Sequence, residues 1–243
     1  MDEKLNTGEI HREKRGFFLW LDNFWYHYKW HSLIALFLVF TVTVCTLQMC
    51  QKESYDIQIL YAGEHAFSRR SDDADKPEYN KARDTLSQFV KDYDGDGEKN
   101  ISFRDLFIPK EEQMGSLTES EYRRAYDDRT NLNTLLVSGE YYLLFLSPEI
   151  YVDYSAESGR LANLKPFVNE GTPLEYYDDT GTAVYLSSTA LYSLSGFSDL
   201  PSDTLICVRS ANFSSHLNKK KNQKSYEKAV ETVTKILNRS ASD

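Results

Sequence analysis

The pattern of apolar and polar positions divides this chain into two unequal parts. From Leu33 to Met49, LIALFLVFTVTVCTLQM, seventeen residues pass without a formal charge. At ~1.5 Å per residue they form a helix of about 25 Å, and Trp30, His31 and Ser32 extend it towards the ~30 Å of a bilayer's hydrocarbon core. The run is apolar on all faces rather than along one stripe, the mark of a membrane span rather than of a helix lying against a soluble core.

After residue 54 the pattern alternates. Tyr55–Gly63, YDIQILYAG, reads as a strand that ends at a glycine loop. Pro77 opens a helix to about Tyr93, with Tyr79, Ala82, Leu86, Phe89, Val90 and Tyr93 on one face. ISFRDLFI, from Ile101 to Ile108, is the second strand. Thr118-Glu119-Ser120-Glu121 fits a capping box for a helix through Val137, stopped by Gly139. YYLLFLS, from Tyr141 to Ser147, is apolar enough to be a strand buried on both faces, and Pro148 then begins a short helix to about Ser158. A loop-like stretch from Leu161 to Thr182 follows. Further strands are expected at Thr182–Thr189 and Thr204–Arg209. A lysine-rich loop (Lys219, Lys220, Lys221, Lys224) leads to a last helix, Ser225–Leu237. Strands alternating with helices predict an α/β domain, three layers deep, with a mostly parallel sheet. The boundaries read as a cytoplasmic or interfacial aromatic segment at 1–32, a span at 33–50, a linker at 51–54 and an extracytoplasmic domain at 55–243.

Charge changes the picture of partners. The chain carries a formal charge of −9, with six basic and five acidic groups in its first 52 residues, so the domain holds 22 basic against 32 acidic groups. Such an exterior argues against nucleic acid and against adsorption on anionic lipid. It is compatible with cations, peptides, sugars or a basic protein face.

The aromatic run Gly16–His31, GFFLWLDNFWYHYKWH, places Trp and Tyr where a membrane interface favours them. Basic residues are nearly balanced across the span: Lys14, Arg15 and Lys29 before it, Lys52, Arg69 and Arg70 after it. A large domain after the first hydrophobic segment nonetheless predicts a signal anchor in the cell membrane, N-terminus inside and domain outside. Cys50 follows Gln48 and Met49, which are not the small residues of a cleavage site, so neither lipidation nor cleavage is expected.

The element order, and in particular SGEYYLLFLSPEIYVDYSAESGRLANLKPF, resembles the N-terminal lobe of extracytoplasmic solute-binding proteins. The WYHYKW lead-in, the single span, the YDIQILYAG strand and the D-x-D-G-D-G loop are similar to a set of uncharacterised single-pass proteins of Gram-positive bacteria. The resemblance implies an α/β lobe held outside the membrane. Leu161–Asp203 is too short to supply the second lobe that closes over a solute, so an interaction module of unknown ligand is the leading expectation. A sensor built on an incomplete lobe is the alternative.

One stretch carries chemistry. Asp92-Tyr93-Asp94-Gly95-Asp96-Gly97-Glu98-Lys99-Asn100 matches the first nine positions of a calcium loop, with Asp92, Asp94 and Asp96 alternating, Glu98 offering its carbonyl and Asn100 at the ninth place. Phe103 stands where the bidentate Glu belongs, and Asp105 lies two residues further on. A solvated acidic turn explains the same residues, since Asp and Gly are turn formers. His65, beside Glu64 and beyond the first strand, lies where α/β sheets place ligands, although a plain surface histidine is the simpler reading. The paired carboxylates Asp72/Asp73 and Asp178/Asp179 read as solvated loops, and Arg123/Arg124 with Asp127/Asp128 as pairs on a helix surface. No nucleophile–base set, P-loop or H-E-x-x-H is present, and no enzymatic activity is expected.

Overall fold

A computed structural model describes residues 16–50, 55–67, 77–213 and 219–239. The expected frayed N-terminus, the 51–54 linker, Arg69, Arg70 and the Asp72/Asp73 pair lie outside the described residues. The chain forms two compact units, Met1–Glu53 and Ser54–Asp243.

The first unit is one continuous helix, α1, Gly16–Cys50. Within it, Asn23–Leu47 is long and apolar enough to cross a membrane, with a mean hydropathy of 2.0 and no part buried by protein. At ~1.5 Å per residue those 25 residues reach about 37 Å. Three hydroxyls inside this stretch are satisfied within the helix. Thr41, Thr43 and Thr46 donate their hydroxyls to the carbonyls of Phe37, Val39 and Val42, each at 2.8 Å. A hydroxyl bonded to its own helix can sit in hydrocarbon without an orphaned donor. On the aromatic half, Trp20, Phe24 and Tyr28 stack at centroid distances of 5.5 and 5.4 Å.

The second unit carries a sheet of five strands in the order β2-β1-β3-β5-β4. The strands are β1 Ile57–Gly63, β2 Ile101–Phe107, β3 Leu143–Leu146, β4 Ala183–Tyr185 and β5 Leu205–Val208. β1 runs parallel to β2 and β3, whereas β5 lies antiparallel between β3 and β4. The sheet is therefore mixed, parallel at its centre, with one reversed strand.

Period-two alternation divides the core. Ile57, Ile59, Tyr61, Phe103, Leu143, Phe145 and Val208 face a cluster with α2 (Pro77–Ser87) and α5 (Lys219–Asn238). Leu60, Ala62, Leu106, Leu144, Leu146 and Cys207 face the other way, onto α3 (Glu119–Ser138) and α4 (Pro148–Ser155). That gives the three layers. All four residues of β3 are buried, and each such side chain is worth about 1.5–3 kcal/mol of transfer from water.

The capping box forms as the sequence implies. Thr118 N–H donates to Glu121 Oε2 at 2.9 Å, Glu121 N–H returns to the Thr118 hydroxyl at 3.4 Å, and Gly139 closes α3 at φ +77°. Other boundaries move. α2 ends at Ser87, because Phe89 and Val90 donate back to the Leu86 carbonyl in a turn and the chain then enters the acidic loop. β4 keeps three residues of the eight expected, since the hydroxyls of Ser188 and Thr189 bond the carbonyls of Tyr185 and Leu186 and curl the chain into a 3-10 turn. The lysine-rich stretch is helix rather than loop from Lys219 onward. Lysine is a good helix former, and no breaker stands between Lys219 and Ser225.

Candidate functional site

The acidic loop lies at the amino-terminal edge of the parallel strands, between α2 and β2. Gly95 and Gly97 adopt φ of +79° and +88°, which let the chain reverse twice within four residues. Asp92 accepts from the Gly95 amide at 2.6 Å and the Gly97 amide at 2.9 Å through its two carboxylate oxygens. Asp94 accepts from Asp96 N–H at 3.3 Å, and Asp96 from Glu98 N–H at 2.8 Å. Alternate aspartates thus fold the loop through their own backbone bonds.

The base of the loop is held by Asp56, a residue the sequence pattern did not single out. It is only 1% exposed, and its two carboxylate oxygens accept the amides of Tyr93 at 2.7 Å and Asn100 at 2.9 Å. Those amides are the two ends of the loop, so one buried carboxylate at the mouth of β1 clamps it shut. The available signal was a charge directly before an apolar strand, since a carboxylate carried inside by such a strand must find donors.

Asp56, Asp92 and Asp94 bring one carboxylate oxygen each to within 4.8 Å of one another. A hard cation holds its oxygens at about 2.4 Å, so ligands on opposite sides of it are about 4.8 Å apart, and the three groups suit one such ion. Four of the oxygens on Asp56 and Asp92 already accept an amide, but each retains a further lone pair. The side-chain carboxylates of Asp96 and Glu98 are not part of this group. Asp96 turns back to the Asn100 side-chain amide at 3.4 Å, and Asn100 gives its backbone N–H to Asp56. Three carboxylates fall short of the six to eight ligands calcium takes, so backbone carbonyls or water must supply the rest.

The surroundings are polar. A small cleft lies beside Asp56, bordered by Tyr55, Glu140, Tyr142, Ser225 and Lys228. Lys228 sits 4.8 Å above the ring of Tyr93. Burial pushes its ammonium below the ordinary lysine range, Lys224 adds to this, and the charges of Asp56 and Asp94 pull it back. The Tyr93 hydroxyl donates to Glu231 Oε2 at 2.9 Å, a bond that holds the Glu231 carboxyl below its usual range against the opposing effect of burial.

At the opposite edge, the order β2-β1-β3 puts the topological switch point between β1 and β3. Glu64 is engaged there, with Lys110 Nζ at 2.7 Å and Gln113 Nε2 at 2.8 Å. His65 is half-buried, its ring edge-on to Phe67 at 4.8 Å and its backbone N–H donating to the Tyr61 hydroxyl at 3.0 Å. Burial lowers its pKa, opposed by Glu78, Asp199 and Asp105.

Two pairs that read as surface features have structural partners. Arg124 bridges Asp105 at 2.8 Å and Asp128 at 3.2 Å in a nearly buried triad tying α3 to β2, while Arg123 pairs with Glu119 instead. Asp178 accepts the Tyr151 hydroxyl at 2.7 Å. Burial pushes the Asp178 carboxyl up, but bonds from Thr180, Tyr151 and the amides of Thr180 and Gly181 outweigh this and hold it low.

Comparison with family models, with curated proteins and with solved structures gives no match. The likeness to one lobe of the solute-binding proteins is therefore not supported from outside the sequence.

Proposed function

We propose that this chain is a single-pass membrane protein that presents an α/β interaction module outside the cell. The observation that carries it is the pairing of an unburied apolar helix, Asn23–Leu47, with a separate unit that has its own two-sided core. A stretch of that length and hydropathy, with its threonine hydroxyls bonded internally, is suited to lipid. The charge balance of the domain and the absence of a catalytic constellation in the sequence favour binding over chemistry. On α3, Tyr122 and Tyr126 stand one turn apart and are 49% and 64% exposed, side chains of the kind that protein interfaces favour. In this account a divalent cation at Asp56, Asp92 and Asp94 braces the loop beside the cleft and performs no chemistry.

Alkaline washing of membranes tests the anchor. Full-length chain is expected to stay in the pellet, as an integral protein does. Release of the intact chain into the wash, or of a soluble form beginning near residue 50, contradicts the anchor.

A further inference from the structure

We propose that the first turns of α5 form a lysine face that docks on the anionic headgroups of the membrane in which the chain is anchored. This rests on the anchor reading above. Lys219, Lys220, Lys221 and Lys224 are all exposed, and among the described residues none of the four has an ion-pair partner. Residues 219–228 hold five lysines against one glutamate, Glu227, which accepts a bond from Gln223 Nε2 at 2.9 Å. Lys220, Lys221, Lys224 and Lys228 recur at three- and four-residue spacing and share one side of the helix. Lys228, over Tyr93, faces Asp56 and Asp94 and is spoken for within the fold; the other four are not.

These lysines cost the helix stability. Cations in a first turn oppose the helix dipole, and α5 has no acidic residue there to offset them. A local preference broken without compensation inside the molecule points to a partner outside it.

Connectivity identifies that partner. Ser225 and Lys228 border the same cleft as Tyr55, so the second and third turns of α5 lie at the edge where β1 begins. Only residues 51–54 separate Tyr55 from Cys50, the last residue of α1. Five Cα–Cα steps span at most about 18 Å, whatever the angle between the two units. Lys220 is two helical turns from Lys228, about 12 Å along the axis. The lysine face is thus tethered within a few tens of ångströms of the headgroups, at high effective concentration.

The test uses the full chain in nanodiscs of phosphatidylcholine alone or with one third phosphatidylglycerol. Each lysine's acetylation rate is read by mass spectrometry, with Lys110, at the opposite edge of the sheet, as the internal reference. Lys219, Lys220, Lys221 and Lys224 are expected to react about fivefold slower in the anionic discs, the ratio that corresponds to ~1 kcal/mol per lysine at an anionic surface. High salt should restore the faster rate, and Lys110 should react alike in both discs. A second measurement is amide hydrogen exchange over residues 219–224. It should slow in anionic discs for the natural chain but not for the variant with all four lysines changed to Gln. Equal acetylation in both discs overturns the proposal. So does slow acetylation in both that salt does not relieve, which assigns the face to a contact within the protein. A chain that fails to remain with the discs removes the anchor itself, and the lysine face with it.

Discussion

At the residue scale, two side chains decide most of what the fold exposes to test. His65 is held neutral by burial, below its ordinary pKa of 6.5. The folded state then binds fewer protons than the unfolded state below that pH, so stability is full above about pH 6.5 and falls as the pH drops through the folded-state value. Urea midpoints measured from pH 7.5 to 5 are expected to decline over this window. His65→Gln should flatten the decline. A His65→Gln protein with the same slope as the natural one assigns the dependence to other groups.

Asp56 matters as a hydrogen-bond acceptor that the fold uses. Removing either of its oxygens leaves the amide of Tyr93 or Asn100 without an acceptor, an orphan worth about 1–3 kcal/mol. Asp56→Ala is expected to destabilise by the upper part of that range, read from chemical denaturation. If calcium joins Asp92 and Asp94 there, residues 54–243 should melt about 3–6 °C higher at a calcium concentration tenfold above Kd than in chelator. Asp92→Asn with Asp94→Asn should remove that difference. An unchanged melting temperature in the natural domain leaves a loop held by its own aspartate–amide bonds.

At the scale of elements, what could be read from the sequence depended on whether the signal was local. The capping box at Thr118, the stop at Gly139 and the all-apolar β3 are local, and each forms where the residues placed it. Three features were not legible, two because they depend on distant partners and one because it has no period to read. The reversal of β5 follows from its pairing with β3 and β4, which its four apolar residues do not encode. Lys219–Lys224 has no apolar period, so it read as a loop although its residues favour helix. In the acidic loop the alternating aspartates were visible. The convergence of Asp94 and Asp92 with Asp56 was not, because Asp56 lies 36 residues before Asp92.

The same distinction separates the element-level tests. Arg124 with Asp105 and Asp128 ties α3 to the edge strand β2, and breaking a buried pair by removing one partner costs about 3–5 kcal/mol. Arg124→Ala should therefore lower the urea midpoint more than Arg123→Ala, whose partner Glu119 is exposed. Gly196 is a steric counterpart. Its φ is +87°, and a Cβ there would lie 2.6 Å from the backbone nitrogen of Ala82 in α2. Thr85 donates to the Ser195 carbonyl at 2.7 Å beside it, so this close approach is how the irregular segment after β4 docks on α2. Gly196→Ala is expected to cost more than about 1 kcal/mol, whereas Gly115→Ala, with open space around its Cβ, should cost little.

At the scale of the whole molecule, the central claim is an α/β module with its own core, tethered outside the cell by one span. In this account the apolar helix and the acidic, two-sided domain make different demands on their surroundings, which a membrane with the domain in water on one side meets. Protease added to intact cells stripped of their wall measures this directly, with antibodies to each end of the chain. The account predicts loss of about 20 kDa from the C-terminal side while the N-terminal epitope stays protected in the membrane. Full protection of the C-terminal domain until the cells are lysed would contradict it.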